Sequence, residues 1–487
     1  MTDILYESWQ PVIGLEIHVQ LNTKSKMFST APNRFGDEPN TNITEVCTGQ
    51  PGSLPVINKE AVRKAVQFGC AVGARVQHFS KFDRKSYFYP DSPRNFQITQ
   101  YDEPIILGGA ITADVEGVTK HFLINRAHLE DDAGMLKHFS NFAGVDYNRA
   151  GVPLLEIVSE PCIHSPKEAA SYAMAIRAIM LYLDASDCNM DEGSLRFDVN
   201  ISVRPKNEST LRNKIEIKNL NSFTHMEMAI ESEIRRQIRA YTLQPHENPD
   251  LVISKGTYRF DLEKKETVLM RQKEEAADYR YFPEPDLPPL LLSDAYIEEI
   301  RGSLPELPHQ KFKRYIEELK LTPYSASVLI NEKPLSDYFE EALKKCSNAK
   351  SLCNWITIEF AGRVKESGRT IQEAGIRSEY VAKLVNLIDK GTITGKIAKL
   401  VADEMMLHPE KDPEEIVKEN PDFLPVHETA SIEPIVDQVL LDNPQSIADF
   451  KAGKGRAFDF LVGQVMKQTK GKASPTVVGE LLTKKLK

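Results

Sequence analysis

The chain has 487 residues, with 61 Lys+Arg against 70 Asp+Glu and a formal net charge of −9. That length exceeds one ordinary core and predicts roughly two to four domains. Apolar residues at 41% and charged residues at 27% exclude disorder, collagen and coiled coil as global descriptions, and the negative sum excludes a whole-surface positive coat for nucleic acid.

In chain order, the N-terminal stretch has early acids and no sustained apolar run, so no signal peptide is expected. At 13–21 the residues Ile13, Leu15, Ile17, Val19 and Leu21 alternate with Gly14, Glu16, His18 and Gln20, which predicts a strand with one buried face. Glu16 and His18 share the polar face about 6.5–7 Å apart, where a carboxylate and an imidazole can converge on a cation or stand as a solvated surface. Phe82–Asp91 and Gln97–Tyr101 interleave Tyr with Arg84 and Lys85. That mixture suits stacking on a nucleotide or a tRNA end and contact with phosphate, or equally an aromatic packing stripe. His128, Glu130, Asp131 and Asp132 place three consecutive acids together. Such acids repel unless a positive charge sits among them, and a hard cation such as Mg²⁺ supplies one.

Ser165-Pro166-Lys167-Glu168 is a capping box and predicts a helix to about Leu183. Leu195–Val203 again alternates, with Arg196, Asp198 and Asn200 on the polar face, after a turn through Gly193 and Ser194. Ile215 and Ile217 alternate with Glu216 and Lys218. A helix follows from near Ser222, with Met226, Ile230, Ile234 and Ile238 four apart. One-sided alternation predicts an antiparallel sheet, apolar behind and charged in front, in an α+β domain.

Four prolines in 282–289 predict an extended connector, and the pattern beyond it is helical to about Leu407. Three domains follow: 1–292 sheet-based, 293–408 all-helical, and 409–487 a small helical tail. Charge is unevenly spread along the last part, with 13 acids and 2 bases in 401–450 but 9 bases and 2 acids in 451–487. The six cysteines show no C-x-x-C spacing, and no run is long and apolar enough for a membrane span, so a reducing cytoplasmic compartment and no membrane are expected. Gly391–Ile397 imitates a phosphate loop but has the wrong spacing and lacks the Ser/Thr, so a helix end and turn are expected there. From residues alone, the chain reads as a metal-dependent enzyme acting on a phosphate-bearing substrate.

Longer motifs add to this reading. Val12–Leu21, Lys81–Asp91, Asp146–Glu160, Glu216–Phe223 and Asp278–Asp286, with Phe460–Gln464 and Thr469–Lys472, resemble in order the B subunit of the bacterial aspartyl/glutamyl-tRNA amidotransferase. The resemblance implies ATP-dependent phosphorylation of the side-chain carboxylate of Glu-tRNA(Gln) or Asp-tRNA(Asn), then displacement of phosphate by ammonia. It implies a heterotrimer in which the glutaminase, the A subunit, delivers the ammonia and the small C subunit stabilises the assembly. It implies a cradle-like catalytic domain that uses Mg²⁺ and ATP.

Carried onto this sequence, Glu16, His18 and Asp131 are the expected metal ligands, and Lys85, Arg84, Glu130 and Asp198 the catalytic groups. Tyr87, Tyr89 and Arg196 are expected at the nucleotide. Asp131 and Met135 stand where the family pattern has Glu and Lys. Thr44 replaces one cysteine of the family's zinc site and only Cys47 stays, so no zinc is expected. The basic end, with Lys454, Arg456, Lys467, Lys470 and Lys472, is the expected tRNA contact through backbone charge. Two competing readings are a non-catalytic tRNA-binding adaptor of the same complex and a free-standing carboxylate–amine ligase for a small substrate.

Overall fold

The computed structural model describes residues 7–272, 276–423, 429–451, 454–469, 473 and 475–486. They fall into two compact units, Met1–Lys311 and Phe312–Lys487.

The first unit is built on one large sheet. The strands that carry the site are β1 (Trp9–Gln20), β2 (Asp83–Ser86), β3 (Phe96–Thr99), β4 (Val118–Asp131), β5 (Pro153–Ser159), β6 (Leu195–Pro205), β7 (Ile215–Leu220), β8 (Gly256–Asp261) and β9 (Glu266–Gln272). The main sheet runs β9-β8-β7-β6-β1-β5-β4 and continues through the short strands Ile106–Leu107 and Arg75–Val76. Neighbours are antiparallel except β7 and β8, which are parallel. The expected all-antiparallel pattern fails at this pair because the helix Phe223–Leu243 lies between the two strands and carries the chain back to the starting edge.

The alternating apolar residues form the back of the sheet. Ile13, Leu15, Ile17 and Val19 of β1, Leu195 to Val203 at alternate positions of β6, and Ile215 and Ile217 of β7 are all fully buried. Helices α1 (Lys59–Ala71), α2 (Pro166–Tyr182) and α3 (Phe223–Leu243) join the same core. α2 starts as its sequence requires. Ser165 accepts from the Glu168 amide at 3.1 Å, and the Glu168 carboxylate accepts from the His164 amide at 2.7 Å. Ser222 caps α3, which turns Met226, Ile230, Ile234 and Ile238 inward. Each fully buried side chain of this kind contributes on the order of 2 kcal/mol.

The domain limits differ from expectation. The proline-rich segment is not a boundary, because Phe282–Pro283 pairs with β2 and Leu290–Leu291 pairs with Phe79–Ser80. The helix Asp294–Gly302 then buries Ile297 and Ile300 in the same core as the sheet, so the first unit runs on to Lys311. In the second unit, one helical core spans Tyr315 to Phe423, passing the expected limit at 408 because Ile416, Val417 and Phe423 belong to it. A separate cluster runs from Ile432 to Leu486. Gly391 has φ of 68° in the turn before the helix Gly395–Leu407, as its failed phosphate-loop pattern implied.

Candidate active site

The polar face of the sheet gathers charged residues from five adjacent strands. The β1–β6 register sets Glu16 opposite Asp198 and His18 opposite Arg196. On the other side His18 lies opposite Glu156 of β5, which in turn lies opposite His128 of β4. Asn200 of β6 lies opposite Glu216 of β7. Two groups of donor atoms result, His18 with Glu130 and Glu156, and Glu16 with Asp198 and Glu216, each within 4.8 Å of one another.

Glu156 sits between two imidazoles, 3.4 Å from His18 and 3.6 Å from His128. Burial alone raises a carboxylate, but here His128, His18 and Lys85 outweigh it and hold Glu156 well below the usual range. Burial likewise works to depress the His18 imidazolium, yet the hydrogen bond and charge of Glu156, with Asp198 and Glu130, push it up to about 9. Glu16 goes the other way. Burial and then the charges of Glu156, Glu216 and Asp198 raise it above the ordinary carboxylate value, although Asn200 donates to it at 2.8 Å. Asp198 accepts from Lys218 at 2.9 Å and from the Asn219 amide at 3.0 Å, and Lys218 also reaches Glu216 at 3.2 Å.

These groups line a cavity of about 960 Å³ that lies wholly in the first unit. Lys85 lines it too, with its ammonium 4.9 Å above the Tyr279 ring. Burial opposes the charge of Lys85, but Glu130, Tyr281 and Glu156 overcome it and keep the amine protonated. Tyr87 and Tyr89 stack at 5.6 Å on one part of the wall, and Tyr101 and Tyr281 at 4.1 Å on another.

Of the expected site residues, Glu16, His18, Lys85, Tyr87, Tyr89, Glu130, Asp131, Arg196 and Asp198 line this cavity. Two expected roles need correction. Arg84 does not line the cavity. It forks onto Glu284 at 2.7 and 2.9 Å, reaches Asp286 at 3.2 Å and lies over the Phe96 ring, so it fastens β2 to the returning chain. Asp131 belongs to neither donor group. It is held by Arg94 and by the Ile98 amide at 2.9 Å, and Glu130 occupies the place among the donors that Asp131 was expected to fill. Arg196 is committed to Asp132 at 2.8 Å.

Lys454, Arg456 and Lys467 are exposed, with Lys454 3.0 Å from Asp449; Lys470 and Lys472 lie outside the described residues. Sequence reasoning missed Glu156, Glu216 and Lys218 as site residues. The signal for Glu156 was present: one carboxylate inside the apolar run Leu154-Leu155-Glu156-Ile157-Val158 needs a buried partner.

No helix among the described residues is long and apolar enough to cross a membrane. Residues 11–298 match the family model described as GatB/GatE catalytic domain, and residues 337–486 match the GatB domain model. The B subunit of aspartyl/glutamyl-tRNA(Asn/Gln) amidotransferase from Protochlamydia amoebophila (strain UWE25) is 66% identical over 481 residues, covering 99% of this chain and 97% of that protein. The proteins of the same name from Chlamydia pneumoniae and Chlamydia abortus (strain DSM 27085 / S26/3) are 59% identical over 478 residues and 60% identical over 482. The Chlamydia pneumoniae match covers 98% of both chains and the Chlamydia abortus match 99% of both. With both family models matched in order and relatives aligned along nearly the whole length, the chain belongs to the family of aspartyl/glutamyl-tRNA(Asn/Gln) amidotransferase B subunits.

Proposed function

We propose that this chain is the carboxylate-activating and transamidating component of a glutamine-hydrolysing aminoacyl-tRNA amidotransferase. Its substrates are Glu-tRNA(Gln), Asp-tRNA(Asn) or both, with ATP as co-substrate. The observation that carries this reading is the pair of donor groups on one sheet face, beside Lys85 and the stacked tyrosines, in a cavity of about 960 Å³.

The donor chemistry fits Mg²⁺. Five carboxylates and one imidazole converge, and the mutual repulsion that raises Glu16 is relieved by a cation. His18, Glu130 and Glu156 would hold one ion; Glu16, Asp198 and Glu216 would hold a second. When bound, Mg²⁺ neutralises the phosphates of ATP and the charge that develops on the transferred group. The rest of the chemistry belongs to the side chains. Lys85 supplies a fixed positive charge beside the transferred phosphoryl group. Tyr87 and Tyr89 offer faces on which a base stacks. Lys218 keeps Asp198 ionised. Ammonia adds to the acyl carbon, the carbon–oxygen bond to phosphate breaks, and phosphate leaves with the electron pair. The surplus proton on nitrogen leaves to solvent, while Glu130, whose Oε2 accepts from Thr99 at 3.1 Å, stays with the donor group.

Zinc has no place in this reading. Around the Cys47 thiol the described neighbours are the hydroxyls of Ser29 at 3.2 Å and Thr44 at 3.6 Å, which leaves one soft donor. The partners are a glutaminase (the A subunit), the small C subunit and the mischarged tRNA, in the cytoplasm. An adaptor that only positions tRNA would have no use for the two donor groups.

The test is amidation of both mischarged tRNAs by the reconstituted complex. His18→Ala should abolish it while glutamine hydrolysis by the glutaminase continues. Unchanged formation of Gln-tRNA and Asn-tRNA would overturn the assignment.

A further inference from the structure

The cavity cations are almost all committed. Arg94 holds Asp131, Arg149 and Arg196 face Asp132 at 3.8 and 2.8 Å, and Lys218 bridges Asp198 and Glu216. Lys85 lies over Tyr279, and Arg271 has partners of its own. Arg126 differs. It is half-buried, lines the same cavity, and among the described residues makes no side-chain hydrogen bond or ion pair. Its Nε is shielded from solvent with no acceptor. The two terminal nitrogens of the guanidinium are not shielded in this way, so a guanidinium in the cavity wall that the protein leaves without an acceptor can meet an anionic ligand through them.

Its place on β4 says what that ligand is. Arg126, His128 and Glu130 alternate along one strand and so share a face, about 7 Å apart per pair. Arg126 lies opposite Val158 of β5, which lies opposite Glu16 of β1, so two strand spacings of about 4.8 Å separate it from Glu16. An oxyanion on the Arg126 fork is therefore within a few ångströms to one nanometre of both donor groups. The planar fork matches two oxygens at once. Nucleotide phosphates reach such a site with their own cation. A substrate carboxylate arrives with none, so a fixed cation of the protein is what is left to hold it.

We infer that Arg126 is the receptor for the side-chain carboxylate of the aminoacyl group, holding it beside the donor groups for activation. This rests on the amidotransferase reading above. The other source of an oxyanion is a phosphate of ATP, and the two sources are separable.

The experiment uses the assembled complex with Arg126→Gln and Arg126→Lys. Thermal melting and binding of uncharged tRNA report whether each variant is folded and still docks tRNA. In Arg126→Gln, the preference for Glu-tRNA over uncharged tRNA should vanish. Amidation kcat/KM for Glu-tRNA should fall about 10- to 100-fold, the range for losing one charge-assisted contact, while KM for ATP holds. Arg126→Lys should recover part of the loss, since charge returns without the fork. A rise in KM for ATP with the aminoacyl preference intact would overturn the carboxylate assignment in favour of phosphate. Wild-type amidation with an unaffected Arg126→Gln would overturn the inference alone. No amidation by wild type would instead overturn the reading on which it rests. If Arg126→Gln fails to fold, Arg126→Lys alone carries the test, and unchanged kinetics there with unchanged tRNA discrimination would overturn the fork as receptor.

Discussion

Glu156 is the side chain on which the first donor group depends, since it touches both His18 and His128. Glu156→Gln keeps the shape and removes the charge, so the half-buried imidazole of His18 and the buried one of His128 lose their partner. Amidation by the complex should fall at least about 100-fold, with melting temperature changed by only a few degrees; wild-type kinetics in that variant would remove Glu156 from the chemistry. His18 gives a pH signature in cation-free buffer. Its proton affinity is higher in the folded chain, about 9, than the 6.5 of an unfolded one. The stabilisation it gives is full below pH 6.5 and is lost as pH rises through about 9. Urea midpoints taken on both sides of that window should fall on the alkaline side, and the fall should shrink in Glu156→Gln. At this scale the sequence was legible where polar residues alternate along a strand, as with Glu16, His18 and Asp198. It was silent on partners. Nothing local says that Asp131 turns to Arg94, or that Arg84 is taken by Glu284, far along the chain. Nor does anything local say that Arg126 finds no polar side-chain partner among the described residues.

Elements were more readable than residues. Period-two and period-four spacing gave β1, β6, β7 and α3, because each buries one face against the same core, and the capping box gave α2. Their caps were readable too. Ser165→Ala removes the acceptor for the Glu168 amide and should cost about 1 kcal/mol in chemical denaturation. Ile234, 1% exposed at the centre of α3, is a harder test. Ile234→Ala should cost about 2–5 kcal/mol and lower amidation through misalignment of the sheet rather than through any contact with substrate. A loss below about 1 kcal/mol would mean that the helix is not what supports the strands. The parallel pairing of β7 and β8 was not readable, because strand direction depends on where a helix returns the chain and not on spacing. The connector misled for a related reason. Prolines mark an extended path, but an extended path can still pair with an edge strand, as Phe282–Pro283 does.

For the whole molecule, the net charge of −9 averages opposite regions, and the last 37 residues carry nine bases against two acids. If that end meets tRNA through phosphates, neutralising Lys454, Arg456 and Lys467 together should weaken binding uniformly across tRNAs. It should also reduce the salt slope of log affinity by roughly 2, measured by anisotropy between about 50 and 200 mM salt. An unchanged slope would place the footprint elsewhere. The clasp of Arg84 on Glu284 has a further consequence, which concerns time. The cavity wall contains Tyr279 and Tyr281, and the segment bearing them is secured to β2 only once Phe282–Glu284 has been made. A nascent chain on the ribosome therefore makes the last strand of its cavity floor, ending at Gln272, before the wall of Tyr279 and Tyr281 is secured, and reaches a closed form only after nearly three hundred residues have emerged. Truncated translation products ending before Tyr279 should fold their sheet yet present an open, acid-lined face, a state that the finished chain covers with its own aromatic rings.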